Sequence, residues 1–295
     1  MPILAGYILP HPPIAVSEIG RGEEQKISKT LASFDEVARD IALIKPETII
    51  LASPHSIMYS DYFHISPGFH AIGDFASFGA PQVTFSVDYD AELISSIAEN
   101  SMKADISNLA DTSKRFPAGT KGERDPALDH GTMVPLYFIN KRYTNYQLVR
   151  IGLSGLSMAH HFMLGRIISK AVCETGRRCV FVASGDLSHC QKPDGPYGYR
   201  PEGPAYDKML MDVLTRSDLQ SLVDFDPALL DASMECGHGS FTMMAGALTG
   251  ETARAITGET AHALTGETAR AIQTKVLSHE ATFGVGYGVC MCHFM

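Results

Sequence analysis

The chain has 295 residues, 45% of them hydrophobic, which is enough to bury the core of one large domain or two small ones. A formal net charge of −9, from 24 lysines and arginines against 33 aspartates and glutamates, argues against nucleic acid or a membrane surface as the partner, because both attract clustered cations. No window reaches the run of about 18 apolar residues that a membrane span needs, and the apolar N-terminus is broken by prolines. We therefore expect a cytoplasmic protein with six free thiols that acts on a small molecule, as a single domain over residues 1–295.

Two strands and a helix between them open the chain. Residues 6–11, GYILPH, form an apolar run that ends at His11, and residues 48–56, TIILASPHS, repeat the pattern with His55. Apolar residues at helical spacing predict an amphipathic helix over residues 24–44. The order strand, helix, strand implies a right-handed crossover and a parallel pair.

The next stretch is less regular. Residues 61–79 are rich in aromatics and glycines, and we expect them to form with residues 83–87 an antiparallel excursion over the site. A helix is predicted over residues 89–103, and the polar residues 105–129 predict a loop. His130 follows this loop, directly before a glycine and an apolar segment.

A third histidine follows a third strand. Residues 147–153 predict a strand, 157–175 a helix and 178–183 another strand, whose continuation SGDLSH carries His189. The proline- and glycine-rich residues 190–204 predict a loop that walls the pocket. Ligands of open α/β sheets bind outside the carboxyl ends of the strands, so the three histidines are expected to converge there.

The last part of the chain predicts helices over residues 205–214 and 228–236, the second continuing to residue 247, and strands over 275–278 and 283–294. Alternating strands and helices indicate an α/β protein. The predicted architecture is a single-domain layered α/β/α sandwich with a mixed, largely parallel sheet.

An octapeptide occurs three times in a row, as ALTGETAR, AITGETAH and ALTGETAR over residues 247–270. Eight residues advance a helix by about 800°, roughly 80° beyond two turns, so the apolar positions drift around it and form no fixed stripe. Three such copies are also too short for a solenoid. We interpret this segment as a tandem duplication, a surface insert at about 247–272, with a binding role as the alternative.

The three histidines and one carboxylate suggest a metal site. His11, His55 and His189 together with Glu235 supply the parts of a 2-His-1-carboxylate triad plus one spare histidine. Such a triad leaves positions on Fe(II) open for substrate and oxygen. The spare histidine, with an unperturbed pKa near about 6.5, suits proton transfer in both directions at neutral pH.

The motifs also carry a resemblance to a known family. ILPHPP at 8–13, SPHS at 53–56, DHG at 129–131, SGDLSH at 184–189 and ECG at 235–237 occur in this order. Together they look like the class III (LigB-type) extradiol ring-cleavage dioxygenases, in the branch found with AMMECR1-type domains and radical SAM proteins, which is also similar to the Memo proteins. The resemblance covers essentially the whole chain except the octapeptide insert, and it implies a LigB-like catalytic domain.

Carried over residue by residue, the resemblance implies that His11 and His55 bind Fe(II) and that Glu235 is the carboxylate ligand. His189 then matches the acid/base histidine, and His130 a second-sphere histidine that contacts substrate or oxygen. The implied reaction opens the ring of a catechol-type aromatic diol beside its two hydroxyl groups and incorporates both atoms of dioxygen. A homo-oligomer or an AMMECR1-type partner is compatible with this reading.

Several alternatives stay open. The Memo branch has a cysteine where the dioxygenases have the carboxylate, and here Cys236 directly follows Glu235. In a helix only one of two neighbours faces the metal, and a thiolate would favour Cu(I) or Zn(II) and a binding or redox role. A Memo-like metal-binding module and a metal-assisted hydrolase are therefore the rival functions. Asp186 either orients His189 or, as we prefer, forms a turn, and the alternative role of His130 is to cap the turn that follows it.

Overall fold

Strands and helices alternate along the chain, and a computed structural model describes residues 3–104, 109, 115–122, 124–250 and 271–295. The strands are β1 (Ile3–Leu9), β2 (Thr48–Ser53), β3 (Phe63–His64), β4 (His70–Phe75), β5 (Ala80–Asp88), β6 (Ala118–Gly119), β7 (Gln147–Gly152), β8 (Cys179–Ser184), β9 (Ile272–Glu280) and β10 (Tyr287–Phe294). The α-helices are α1 (Ser17–Gly20), α2 (Ser28–Ile44), α3 (Ala91–Lys103), α4 (His130–Asn140), α5 (Met158–Thr175), α6 (Glu202–Thr215), α7 (Pro227–Ser233) and α8 (His238–Thr249).

A six-stranded sheet in the order β7-β2-β8-β1-β10-β9 forms the centre of the molecule. β7, β2, β8 and β1 run parallel to one another, whereas β10 is antiparallel to both of its neighbours, β1 and β9. Every residue of β2 and of β8 is buried, as expected of parallel strands that are covered on both faces. The predicted mixed, largely parallel sheet is confirmed.

Helices cover the sheet in two layers. α2 and α4 pack together over one face, while α8 lies on β8 and β1 with α5 and α3 outside it. α8 is buried along nearly its whole length, and glycines bring its backbone close to α5. A Cβ at Gly165 would lie 2.0 Å from the Met243 carbonyl oxygen, so this helix pair packs at a distance that a larger residue would widen. The layered α/β/α sandwich is therefore confirmed.

The irregular segment after β2 forms the predicted antiparallel excursion. β4 and β5 pair as an antiparallel hairpin, and the turn between them carries Phe78. The ring of Phe78 lies 5.4 Å from the ring of His130 at the start of α4. The hairpin therefore contacts one of the predicted site residues.

The prediction of a helix over residues 228–236 that continues to residue 247 is wrong at its centre. α7 ends at Ser233, and α8 begins only at His238. Met234 adopts the left-handed conformation at φ 57°, which closes α7. Gly237 packs directly on Gly185, where an added Cβ would lie 2.1 Å from the Gly237 Cα. Glu235 and Cys236 therefore lie in a turn between two helices, held against the end of β8.

The octapeptide insert falls mostly outside the described residues, which exclude 251–270. The first residues of the repeat, up to Thr249, complete α8, with Ala247 and Leu248 buried. In the part of the chain that the structure describes, no helix has the length and hydropathy needed to cross a bilayer.

Candidate active site

His11 and His55 meet at the carboxyl end of the parallel sheet. His11 follows β1 and His55 follows β2, and these two strands flank β8. Their Nε2 atoms are 3.0 Å apart, and the two rings are nearly perpendicular, at 84°. His11 is buried and His55 is exposed, so the pair lies at the mouth of the crevice where open α/β sheets bind ligands.

The residues that end β8 fix the orientation of His11. The Asp186 carboxylate accepts a hydrogen bond from the His11 backbone N–H at 2.8 Å, and the Ser184 hydroxyl contacts His11 Nδ1 at 3.0 Å. Because this hydroxyl donates its own hydrogen to the Gly131 carbonyl oxygen, at 2.5 Å, it must accept one from His11 Nδ1–H. The lone pair of His11 is therefore on Nε2, directed at His55.

The start of α4 supports His55. The Ser53 hydroxyl accepts a hydrogen bond from the His55 backbone N–H at 3.2 Å and donates to the Asp129 carboxylate at 2.5 Å. Asp129 in turn caps α4 by accepting from the Thr132 backbone N–H. A Cβ at Gly131 would lie 2.5 Å from Ser53 Oγ, so the DHG motif needs its glycine to pack against the SPH motif.

Cys236, and not Glu235, joins the two histidines. The ligand atoms of His11, His55 and Cys236 all lie within 4.8 Å of one another, and Cys236 Sγ is 3.7 Å from His11 Nε2. The Glu235 carboxylate instead accepts a hydrogen bond from the His238 backbone N–H, at 2.6 Å, at the start of α8. The turn between α7 and α8 thus directs the thiol towards the histidines and the carboxylate towards the helix end.

His130 and His189 lie around this group. The ring of His130 is 4.0 Å from that of His55 and 5.4 Å from that of His11. His189 stacks on Tyr197, at 5.2 Å between ring centroids, and Tyr197 belongs to the loop predicted to wall the pocket. Asp186 contacts the His11 backbone, a role that neither of its predicted alternatives included.

Desolvation keeps these imidazoles neutral. It is the main cause that lowers the pKa of His11, His55 and His189, and it lowers the pKa of His130 to about 4. A neutral imidazole offers a nitrogen lone pair to a metal ion or to a proton. Desolvation also raises the pKa of Glu235 to about 7, and together with Asp186 and Glu235 it raises the pKa of the Cys236 thiol well above its usual value.

The roles of Ser53 and Ser184, which orient the site, were not identified from the sequence. Each closes a buried apolar strand and is the first residue of a motif, SPHS or SGDLSH, a signal that could have pointed to them. Nothing local marks Tyr197 beyond its place in a predicted loop. Most histidines outside the motifs contact other residues of the protein. The partners are Asp88 for His70, Ser157 for His160 and His161, Tyr206 for His238, Asp207 for His279 and Asp40 for His293. His262 lies outside the described residues.

The chain is similar to several known proteins. The chain is 39% identical over 283 residues to Protein CA_C1420 of Clostridium acetobutylicum. The matched region covers 96% of this chain but only about half, 56%, of the length of that relative. It is 25% identical to the 2-aminophenol 1,6-dioxygenase beta subunit of a Pseudomonas species, over 83% of this chain and 85% of that one. The crystal structure of the uncharacterized protein JW3007 from Escherichia coli K12 has the same fold, with a TM-score of 0.50 at 12% identity over 98% of this chain and 99% of the other.

The family comparison covers nearly the whole chain. Residues 5–289 match the model of the catalytic LigB subunit of aromatic ring-opening dioxygenase, a span that includes every motif discussed above. This match leads to one conclusion: the chain belongs to the LigB family.

Proposed function

We propose that this protein is a non-heme Fe(II)-dependent extradiol dioxygenase that opens the ring of a catechol-type aromatic diol. The observation that carries the proposal is the convergence of His11 Nε2 and His55 Nε2, 3.0 Å apart at the carboxyl end of the sheet. Membership of the LigB family and the similarity to a 2-aminophenol 1,6-dioxygenase subunit support it.

His11 and His55 are suited to hold the metal. Both imidazoles are neutral, and the Ser184 hydroxyl fixes the tautomer of His11 so that Nε2 carries the lone pair, as ordered metal-binding histidines require. Bound Fe(II) would supply adjacent coordination positions for a chelating diol and for dioxygen.

Glu235 is our proposed third ligand. Desolvation raises the pKa of its carboxyl group to about 7, so it ionises near neutral pH, whereas desolvation and then the carboxyl groups of Asp186 and Glu235 raise the pKa of the Cys236 thiol well above its usual value. In this proposal the Glu235 side chain exchanges its hydrogen bond to the α8 backbone for the metal. Carboxylate is also the ligand that, with two imidazoles, completes the 2-His-1-carboxylate set of Fe(II) oxygenases.

Of the remaining two histidines, one would transfer protons and the other would contact the substrate ring or oxygen. His189 is neutral and stacked on Tyr197, so it can accept a proton from a substrate hydroxyl and return it later. His130 lies beside His55 and would contact the bound ring or oxygen. Holding both reactants beside a fixed base supplies much of the rate through proximity.

A second candidate function follows from the position of Cys236. Its sulfur lies 3.7 Å from His11 Nε2, so a His11, His55 and Cys236 centre is available without moving any side chain far. Such a thiolate centre favours softer ions such as Cu(I) or Zn(II) and a metal-binding or redox role of the Memo type.

We also propose that the protein acts in the cytoplasm and in an assembly. Its six free cysteines suit a reducing compartment. One relative is named a beta subunit, and this chain matches only 56% of another, so a second subunit, a second copy or an AMMECR1-type partner would complete the working enzyme.

Anaerobic reconstitution with Fe(II), followed by oxygen-uptake assays on a panel of catechols and 2-aminophenol, tests the proposal. The expected product carries both atoms of isotopically labelled dioxygen, and His11→Ala should give no uptake. Stoichiometric binding of Cu(I) or Zn(II) without oxygen uptake on any substrate would favour the second candidate.

A further inference from the structure

A cavity of about 710 Å³ opens between the β4–β5 hairpin and α4. Its volume is in the range of roughly 300 to 1,000 Å³ that small-molecule sites occupy. Ile72, Phe78 and Phe85 line it from the hairpin, and Leu128 and Met133 line it from the side of α4. These side chains form an apolar chamber suited to a flat ring.

His130 connects this cavity to the histidine group. It lines the cavity and its ring lies 4.0 Å from the ring of His55. On the other side, the ring of Phe78 contacts His130 at 5.4 Å. A ring in the chamber would therefore lie between the hairpin and His130, beside the proposed metal ligands.

The charged groups that line the cavity are acidic. They are Asp74, at the exposed end of β4, and Asp129. The charge of Asp129 is balanced from behind by Arg150, 3.7 Å away, whose buried guanidinium also donates to the carbonyl oxygens of Ala127 and Asp125. The negative charge of Asp74 is therefore the one that remains unbalanced in the lining of the chamber.

Among the described residues, no cation in the lining of the cavity offsets the charge of Asp74. Within the described ranges no lysine or arginine lines the cavity, and the Arg21 guanidinium lies beside Gly79, the last residue of the hairpin turn. A carboxylated ring would enter against the field of Asp74 and find no cation in the lining to pair with. Like charges placed together are a strong means of excluding a ligand.

We propose that this cavity selects aromatic rings without a negatively charged substituent, neutral or cationic, and excludes carboxylated rings. The proposal rests on the proposed function, because it assigns the cavity to the substrate of the same site. Asp74, which lies on the hairpin and lines the cavity, is the residue that sets this preference.

The test compares two rings of nearly the same shape, 4-methylcatechol and 3,4-dihydroxybenzoate, which differ in a methyl group against a carboxylate. Their binding to the Fe(II)-treated protein is measured by calorimetry under nitrogen and low salt, so that the readout does not depend on turnover. We expect 4-methylcatechol to bind at least about threefold more tightly, since the exposed charge of Asp74 acts over several ångströms through water and changes affinity to this extent.

Three variants that each add one unit of positive charge locate the cause. Asp74→Asn keeps the oxygen that accepts from the Ala76 backbone N–H, and Ser77→Lys adds a cation on the same turn. Each should improve the relative affinity for 3,4-dihydroxybenzoate by about threefold, the Coulomb effect expected at a range of several ångströms in water. The matched control Asp224→Asn changes an exposed aspartate away from the cavity and should leave the ratio unchanged.

Equal or tighter binding of 3,4-dihydroxybenzoate to the unmodified protein would overturn the proposal, as would binding of neither ring. A preference for the carboxylated ring that disappears in Arg21→Ala would reassign the specificity to that guanidinium. Selective binding of 4-methylcatechol without oxygen uptake would support the cavity proposal and contradict the dioxygenase function, so the two failures are distinguishable.

Discussion

Two pairs of histidines in this molecule differ in what their ring nitrogens contact. The strand-end pair, His11 and His55, follows two parallel strands, and its Nε2 atoms face each other and the Cys236 thiol. The helix pair consists of His161 on α5 and His238 at the start of α8, and both are buried. The Nδ1 atom of His238 contacts the Tyr206 hydroxyl, and its Nε2–H donates to the Leu222 carbonyl oxygen. Both ring nitrogens of His238 are therefore bound within the protein.

The comparison shows that the free edge of a histidine ring, and not its burial or lowered pKa, indicates a binding role. Desolvation lowers the pKa of His11, as it does for His161 and His238. In the helix pair the protein itself uses both ring nitrogens of His238 and Nδ1 of His161, so these side chains stabilise the packing. In the strand-end pair the Nε2 atoms face each other at a crevice that is open to solvent at His55.

The largest expected effect is on the iron content of the protein, which should fall in variants of the strand-end pair but not in a variant of the helix pair. His11→Ala or His55→Ala should abolish stoichiometric binding of iron, because each removes one of two facing imidazoles from a segment that follows a strand of the sheet. His161→Gln is the matched control and should keep full iron occupancy although it lowers stability. Elemental analysis of purified, reconstituted protein measures this difference. Full occupancy in both strand-end variants would show that these histidines are not ligands.

The next effect concerns a histidine at the edge of the strand-end group. His189→Ala should retain the metal and lose activity by roughly 10² to 10⁴, the usual contribution of a positioned acid or base. Tyr197→Phe keeps the ring that stacks on His189 and should remain close to the unmodified activity. Steady-state oxygen uptake and iron content, measured on the same samples, check both. If His189→Ala loses its iron, His189 is a ligand and the ligand set must be redrawn.

The helix pair predicts a pH effect on stability. Desolvation lowers the pKa of His161 to about 4, and its Nδ1–H donates to the Ser157 carbonyl oxygen. The unfolded chain, with an ordinary pKa near about 6.5, therefore binds the proton more readily between these two values, and the free energy of unfolding falls as the pH drops. Between pH 7 and about pH 5 this single group should account for about 1 to 2 kcal/mol.

Urea unfolding of the unmodified protein and of His161→Gln at the two pH values measures this contribution. The variant is expected to be less stable at neutral pH because it loses well-packed contacts, but to lose less on acidification. An identical loss in both proteins would show that His161 does not titrate on unfolding in this range.

The smallest expected effect is that of the insert. Deleting residues 255–270, which lie outside the described residues, leaves one copy of the octapeptide. Because the apolar positions of the repeat drift around a helix, the segment offers no consistent face for packing. Iron content should be unchanged and the melting temperature should shift by no more than about 2 °C, which corresponds to less than about 1 kcal/mol in a protein of this size. A larger fall, measured by calorimetry, would show that the repeat packs on the rest of the protein.

The strand ends could be predicted from the sequence because their signals are local. Runs such as TIILAS and CVFVAS are continuous and apolar, and fully buried parallel strands have this composition. Each run stops at a turn, so the position of His11 and His55 at the sheet edge follows from strand direction alone. The antiparallel hairpin was predicted from a different signal, the aromatic- and glycine-rich residues 61–79 together with residues 83–87.

The turn that carries Glu235 and Cys236 could not be predicted from local signals. Helix-compatible residues run from 228 to 247, and the break depends on the contact between Gly237 and Gly185, about 50 residues away in sequence. The orientation of His11 likewise depends on Ser184 and Asp186, which reach it only after β1 and β8 pair. Sequence periodicity describes which face of an element is buried, and it contains no information on such long-range contacts.

The central claim, an iron centre of His11, His55 and Glu235, is tested most directly by metal-edge X-ray absorption of the Fe(II)-loaded protein and of Cys236→Ser. We predict a shell of nitrogen and oxygen atoms only, the same in both proteins, and loss of the bound iron in Glu235→Ala. The contradicting result is a sulfur scatterer near about 2.3 Å, the metal–sulfur distance of a zinc thiolate, that disappears in Cys236→Ser. That outcome would make Cys236 the third ligand and replace the dioxygenase with the thiolate centre of the second candidate.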